Sequence, residues 1–345
     1  MLFFLFSYSL CITIKPSEER SFINWMRETK NFYVGEEYHF RFGVWLSNYR
    51  YVQSKSLSTT KTHFKCGMNS LSALSPSEYR SLLGLRNNRQ YKGENIIRNS
   101  PSTINKIQNV QSEIRPAKND YPDNLDYRTH DPAVLHPIQD FGQCGGGSWS
   151  FSITCAVESS YAIKRKELFK LSEQCLIDCV SFCDGCNSGS LHSAFSFLTN
   201  NKDYQCHINS ESDYPWTGSQ GECKFDYDKA LFLFNGIFYG RQKPESDMVY
   251  YLNDYGVGSA SLDASSAAFQ LYTSGIYEDK NCGTTSNLAV NVVGYGVEGN
   301  GNDEVQFWIC RNCWGTSWGE NGYFRIVRGS NECGIAEEFF FPVKF

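Results

Sequence analysis

Apolar residues in the first part of the chain recur at the spacing of a helix. Phe22, Trp25 and Met26 stand at positions i, i+3 and i+4, and a second set follows at intervals of four and seven residues: Phe40, Val44 and Tyr51. Residues spaced in this way lie on one face of an α-helix. The pattern predicts two amphipathic helices between residue 16 and about residue 56.

The second half of the chain has a different pattern. A further helix is predicted from Trp149 to about Lys166, and after it come short apolar, β-branched or aromatic runs interrupted by Gly and Asn. Such runs are typical of strands, and we predict them at 231–238, 258–262, 288–295, 306–310 and 323–327. A helical part followed by antiparallel strands indicates an α+β protein.

Two segments stand apart from these elements. Residues 87–119 lose periodicity and are rich in Asn, Ser, Lys and Arg, which is typical of a surface linker or processing segment. Leu2 to Ile14 form an apolar run as long as a signal-peptide core and too short to span a bilayer. We predict a secretory signal over residues 1–15, with a buried apolar segment as the alternative.

The composition is that of a folded globular protein. With 345 residues and 41% hydrophobic content, the chain can form a sizeable two-lobed core plus an N-terminal extension. A formal net charge of -5 gives no reason to expect nucleic acid, which normally requires a basic face. Fourteen cysteines favour an oxidising compartment, where disulfides form.

One segment carries the strongest signal for chemistry. It reads Gly142-Gln143-Cys144-Gly145-Gly146-Gly147-Ser148-Trp149-Ser150-Phe151-Ser152 and resembles the nucleophile segment of papain-like cysteine proteases, Gln-Gly-x-Cys-Gly-Ser-Cys-Trp-Ala-Phe-Ser. Ser148 stands at the place of the attacking thiol, and the loop has one extra glycine. A helix N-terminus can ionise a thiol but not a hydroxyl, so Ser148 would need a neighbouring base.

Two further motifs continue the resemblance. Asn287-Leu288-Ala289-Val290-Asn291-Val292-Val293-Gly294-Tyr295-Gly296 is similar to the family's Asp-His-Ala-Val-x-x-Val-Gly-Tyr-Gly, with Leu288 in place of the catalytic His. In Arg311-Asn312-Cys313-Trp314-Gly315 the resemblance implies that Asn312 is the orienting Asn and Trp314 the aromatic that shields it. Phe141 falls at the position of the oxyanion Gln, while Gln139 is two residues too early to align.

The N-terminal helices resemble the inhibitory propeptide of cathepsin L-like proteases. The second helix matches its Glu-Arg-Phe-Asn-Ile-Asn pattern through Glu37, Arg41, Trp45, Asn48 and Val52, with Ser56 at the last position. Gly67-Met68-Asn69-Ser70-Leu71 and Ser75-Pro76-Ser77-Glu78-Tyr79 continue the pattern. Leu125-Asp126-Tyr127-Arg128 resembles the start of the mature papain domain, which we place near residues 120–122.

The resemblance implies a papain-like two-lobed fold, with a helical left lobe, an antiparallel β-barrel-like right lobe and an inhibitor-type propeptide. The expected parts are a signal at 1–15, the propeptide domain at 16–86, the linker at 87–119 and the peptidase domain at 120–345. The implied disulfides join Cys144 to Cys186, Cys179 to Cys223, and Cys282 to Cys333. The implied substrate cleft contains Gly189, Trp149, Trp314, Asn287 and Glu338.

Eight cysteines remain outside those pairs. Cys183-x-x-Cys186 and Cys310-x-x-Cys313 have the spacing of zinc knuckles. Because Cys186 already belongs to an implied disulfide, we favour extra disulfides or buried thiols over a metal. No metal and no cofactor are expected.

Three of the four positions for chemistry hold residues that cannot perform it. The leading hypothesis is an inactive homologue, a pseudoprotease that binds peptides, proteins or papain-type inhibitors in the retained cleft. One alternative is an active endopeptidase or a hydrolase based on Ser148, and another is an inhibitor that acts on active relatives through its propeptide. We expect a monomer without a membrane span, located in a secreted or lysosomal/endosomal compartment.

Overall fold

The computed structural model describes residues 13–57, 63–86, 121–199 and 207–343, apart from positions 233, 235 and 242. Most of the expected signal segment and the whole expected linker lie outside these residues. The helices within them are α1 Pro16–Thr29, α2 Gly35–Ser56, α3 Pro76–Ser81, α4 Ser148–Arg165, α5 Glu173–Cys179, α6 Leu191–Thr199, α7 Ser246–Tyr255 and α8 Ala267–Gln270.

The strands belong to two sheets. They are β1 Phe64–Cys66, β2 Leu125–Asp126, β3 His207–Ile208, β4 Leu231–Phe232, β5 Ile237–Arg241, β6 Gly258–Leu262, β7 Tyr272–Tyr277, β8 Leu288–Glu298, β9 Val305–Arg311, β10 Tyr323–Val327 and β11 Glu338–Pro342. The large sheet has the order β1-β7-β10-β9-β8-β6-β11-β5, with β2 paired to β8, while β3 and β4 form a separate pair. The fold is α+β, as expected.

Residues 231–238 do not form the single strand that their composition predicts. β4 pairs with β3, whereas β5 pairs with β11 in the large sheet. Gly236 lies between the two strands, and its carbonyl oxygen accepts a hydrogen bond of 2.8 Å from Val343 N. An apolar run of this length does not reveal which partners its two halves will find.

The propeptide helices pack through aromatic side chains. The Phe22 ring lies 5.3 Å from that of Phe42 and 5.4 Å from that of Trp45, and all three side chains are buried. Trp25 Nε1 donates to Asn69 O at 2.9 Å, which ties this unit to the chain that follows. The two predicted amphipathic helices are therefore present, and residues 30–34 separate them.

A bidentate ion pair holds α2 against α3. Arg41 donates to both carboxylate oxygens of Glu78, at 2.7 and 2.8 Å, and also to Ala73 O at 3.0 Å. Glu78 closes a capping box as well, because its carboxylate accepts from Ser75 N at 2.8 Å. The Arg41 guanidinium holds the pKa of Glu78 at about 2, well below its usual range.

The propeptide joins the large sheet through β1. This strand pairs antiparallel with β7, and Asn69 Nδ2 donates to Gln270 O at 2.8 Å. Tyr79 OH donates to Ala264 O at 2.6 Å. The hydrophobic pattern did not predict β1, which is only three residues long and depends on β7 for its hydrogen bonds.

The central helix α4 lies between the two lobes. On one side, the helical lobe contains α5 and α6, and Lys170 Nζ binds Glu173 at 2.6 Å and Glu158 of α4 at 3.2 Å. On the other side, α4 meets β8, where Ser152 Oγ donates to Val290 O at 2.9 Å. The start of α4 is thus fixed at the junction of the lobes.

Acid should weaken the α2–α3 contact through Glu78. Its folded pKa is about 2 and lies below the value of about 4.3 in an unfolded chain, so the ion pair contributes fully above that higher value. The contribution is lost as the pH falls toward about 2. Replacing Glu78→Gln should lower the thermal midpoint at neutral pH, and the difference from wild type should shrink between about pH 5 and pH 2.

Thermal unfolding followed by circular dichroism across this pH range measures the effect. Glu36→Gln, which changes an exposed glutamate in the first turn of α2, is the matched control and should have little effect at any pH. If Glu78→Gln lowered the thermal midpoint by the same amount at every pH, the Glu78 carboxylate would not be the source of the pH-dependent stability.

Candidate functional site

Ser148 begins α4 directly after the glycine-rich loop. The loop is held by the Cys144–Cys186 disulfide and by Gly146 N, which donates to Cys186 O at 2.7 Å. Ser148 is completely buried, and its Oγ accepts a hydrogen bond of 3.3 Å from Ala289 N on β8. The structure therefore places Ser148 opposite the strand that the sequence motif pairs with it.

Leu288 is the first residue of β8 and precedes the residue that contacts Ser148. Its backbone pairs with Leu262, and its side chain is completely buried in the core of the β lobe. An aliphatic side chain neither accepts nor donates a proton. At this position Leu288 acts as a core residue.

The six histidines of the chain all fall within described residues. His130 bonds to Pro132 O, His136 to Phe169 O, and His192 packs on the Tyr239 ring. The other three lie on α2, next to β1 and on β3: His39, His63 and His207.

Asn312 is buried just beyond β9. Its Oδ1 accepts from Cys313 N at 2.9 Å, and its backbone N donates to Gly322 O at 3.0 Å. Its Nδ2 is buried and has no hydrogen-bond partner among the described residues, and Trp314 Nε1 is in the same situation. Leaving a buried amide N–H group without a hydrogen bond is energetically costly.

Ser148 and Asn312 border the same small cavity. Its volume is about 10 Å³, and its lining residues are Gln139, Ser148, Phe151, Ser152, Ala289, Val290, Asn291, Arg311, Asn312 and Cys313. A cavity of this size holds about one water molecule. None of the histidines lines it, so no imidazole of the described residues faces Ser148.

Gln139 reaches this cavity although the sequence alignment passes over it. Phe141, at the aligned oxyanion position, is buried outside the cavity lining, and its backbone N donates to Cys313 O at 3.2 Å. The position of a residue in a sequence motif does not determine the direction in which its side chain points. The polarity of Gln139 beside Asp140 was the available signal, and it was too weak to decide the assignment.

Two charged or titratable neighbours of the cavity are constrained by their surroundings. Arg311 donates to His136 O at 2.5 Å and to Pro137 O at 2.7 Å, so its guanidinium is already engaged. Burial raises the pKa of the Cys313 thiol well above its usual range. The Cys313 thiol, which borders the same cavity as Ser148, is therefore protonated at neutral pH.

The cleft between the lobes is occupied by the chain's own residues 84–86. Leu85 N donates to Asn287 O at 3.0 Å on one wall. On the other wall Gly189 N donates to Gly84 O at 3.0 Å, and Arg86 N donates to Gly189 O at 2.7 Å. The segment thus binds both walls through its backbone.

Of the expected cleft residues, Gly189 and Asn287 bond to this segment through their main chains. A Cβ atom on Gly189 would lie 2.4 Å from the Trp149 indole, so only glycine fits there. The Asn287 side chain donates to Asp263 and Ser265. Glu338 accepts from Tyr239 OH at 3.1 Å, and burial raises the pKa of its carboxyl.

The three implied disulfides are present: Cys144–Cys186, Cys179–Cys223 and Cys282–Cys333. Free thiols among the described residues include Cys310 and Cys313, both buried. The one described group of close metal-ligating residues is Cys282, Glu332 and Cys333, whose two sulfurs already form a disulfide. Cys11 and Cys206 lie outside the described residues.

Comparisons with known proteins agree with this architecture. Residues 121–343 match the family model of papain family cysteine proteases, and residues 22–79 match the cathepsin propeptide inhibitor domain. Within the part of the chain that the structure describes, no helix is both long and apolar enough to cross a membrane.

Individual relatives match along most of their length. The chain is 37% identical to cysteine proteinase COT44 of Brassica napus, covering 88% of each chain, and 31% identical to pro-cathepsin H of Mus musculus, covering 96% of this chain and 92% of the relative. Digestive procathepsin L 3 of Tenebrio molitor superposes with a TM-score of 0.76 at 27% identity, over 95% of this chain and all of that one. The chain belongs to the papain family of cysteine proteases and carries a cathepsin-type propeptide inhibitor domain.

Proposed function

We propose that this chain is a catalytically inactive member of the family that binds extended polypeptide in its cleft. The proposal rests on Leu288, which is buried and directly precedes Ala289, the residue that contacts Ser148. Proton transfer from a hydroxyl nucleophile needs a base within hydrogen-bonding reach. No such base among the described residues faces Ser148.

The size of the expected effect supports inactivity. Losing either the nucleophile or the base of a triad enzyme costs on the order of a million-fold in turnover, although such losses overlap. The N-terminus of α4 cannot compensate, because a helix dipole contributes about 2 kcal/mol at best. The Nδ2 atom of Asn312 has no hydrogen-bond partner among the described residues, and this supports the proposal that Asn312 is an orienting Asn without its imidazole partner.

Cys313 does not offer a replacement nucleophile. Its thiol borders the same cavity as Ser148, but burial keeps its pKa high and leaves it in the neutral, weakly nucleophilic form. No histidine lines the cavity to accept its proton. Gln139 borders this cavity and its side-chain amide is a hydrogen-bond donor. A hydrolase based on Ser148 would still need a base from outside the cavity.

The retained scaffold supports binding. Three disulfides, the close packing of Gly189 on Trp149 and the backbone groups of the cleft walls all preserve a groove. In this structure residues 84–86 fill that groove. We further propose that the chain works as a monomer in an oxidising secreted or lysosomal/endosomal compartment, which suits its disulfides.

A second candidate function is inhibition of an active relative by the propeptide region. It is favoured by the backbone pairing that β1 and residues 84–86 make with the peptidase domain. Residues 16–115 should then inhibit an active papain-family enzyme. Failure to inhibit at micromolar concentration would remove this candidate.

Peptide hydrolysis tests the absence of catalysis. The full chain, intact or cut within residues 87–119 by an added protease, should not cleave cathepsin-type peptide substrates above background. Ser148→Ala is the matched control, and its rate should equal that of wild type. A wild-type rate that Ser148→Ala abolishes would overturn the proposal.

The role of Leu288 can be tested by stability. Truncating a fully buried Leu to Ala typically costs about 2–5 kcal/mol, because it removes apolar contacts and leaves a cavity. Leu288→Ala should lower the free energy of unfolding by that amount in a chemical denaturation experiment. Leu57→Ala, at a position that is 82% exposed, is the matched control and should change it by less than about 0.5 kcal/mol.

A further inference from the structure

A groove of about 590 Å³ lies where the propeptide helices meet the peptidase domain, and we call it the junction groove. Phe40 of α2, Leu74 and Arg80 of the α3 region and Gln270 of the peptidase domain are among its lining residues. Residues 84–86 do not line it, so the junction groove is separate from the cleft between the lobes. Its volume falls in the range of pockets that bind small molecules, about 300–1,000 Å³.

The junction groove has an apolar wall. Phe40 is a large aromatic residue that is 53% exposed, and Val44 and Leu74 line the same groove. Tyr79 also lines it, and its hydroxyl is already used, because it donates to Ala264 O at 2.6 Å. A ligand with an apolar part would therefore remove the exposed Phe40 surface from water.

The two amide side chains of the junction groove are bonded to the main chain. Asn48 Nδ2 donates to Ser72 O at 2.9 Å. Gln270 Nε2 donates to Leu71 O at 2.9 Å, across the boundary between the peptidase domain and the propeptide. These bonds fix both amides, so the groove keeps its shape only while the two parts of the chain are joined.

Arg80 gives the junction groove a positive charge. It is exposed, and its guanidinium makes no hydrogen bond or ion pair with any residue that the structure describes. The glutamate of the same helix, Glu78, is already bound to Arg41, and no Asp or Glu is among the described residues that line the groove. A guanidinium beside an apolar wall is complementary to a carboxylate that carries an apolar group.

We propose that the junction groove binds a small amphipathic carboxylate. Its apolar part lies against Phe40, Val44 and Leu74, and its carboxylate accepts hydrogen bonds from Arg80. The proposal does not depend on the proposed function, because it concerns a different site. Since both the propeptide and the peptidase domain form the groove, a bound carboxylate favours the state in which they are joined.

The charge requirement is tested with decanoate as the probe, by isothermal titration calorimetry on the full chain. Decanoate should bind about tenfold or more tightly than decanol, which has the same chain length without the charge. Arg80→Gln should lower the affinity for decanoate by a similar factor, and Arg20→Gln, at an exposed arginine of α1, is the matched control. Equal affinities for the two probes, or an unchanged affinity in Arg80→Gln, would overturn the proposal.

The apolar wall is tested by Phe40→Ala, which should also weaken decanoate binding about tenfold. Phe32→Ala is the matched control, since Phe32 is 77% exposed and does not line the groove. An equal loss of affinity in both variants would mean that decanoate binds exposed apolar surface in general, and it would overturn the site.

The link between the two parts is tested by amide hydrogen exchange. Gly67 N donates to Leu271 O at 2.9 Å, so its exchange reports separation of the propeptide from the peptidase domain. Decanoate at about ten times its Kd should slow exchange at Gly67 about tenfold. Exchange at Asn31, whose N–H bonds to Met26 O within the propeptide, is the internal control. Unchanged exchange at Gly67 with decanoate bound would overturn a site formed by both parts.

Discussion

The position of Ser148 relative to the rest of the site depends on how α4 is fixed against the β lobe. Ser152 Oγ donates to Val290 O, while Asn291 Nδ2 and Ser259 Oγ both donate to Ser152 O, at 2.7 and 2.9 Å. These polar groups are buried, so they can be satisfied only in one rotation of the helix. Ser148 lies one turn earlier on the same face and is thereby aimed at Ala289.

The contacts that hold this arrangement together do not require catalytic side chains. Apolar packing, main-chain hydrogen bonds and the buried side chains of Ser152, Ser259 and Asn291 hold the helix and the strand that faces it. Leu288 at the start of β8 is a completely buried core side chain, and those contacts would not require an imidazole in its position. A fold of this kind can keep its shape and its groove while the groups for proton transfer are replaced.

Much of the fold could be predicted from the sequence because its signals are local. Helical spacing located α1, α2 and α4, and the resemblance to papain-like proteases implied the three disulfides. The parts that escaped prediction depend on distant partners. β1 exists only against β7, β4 and β5 divide one apolar run between two sheets, and Gln139 reaches the cavity through the path of its loop.

The pairing of β1 with β7 also has a consequence for the chain after any removal of its N-terminal region. In the large sheet β1 is the outermost strand, and β7 has β10 as its other neighbour. Without residues 64–66, the main-chain groups of β7 that face β1 would become an open sheet edge. Open edges are templates for strand addition, and in this structure β1 covers that edge of β7.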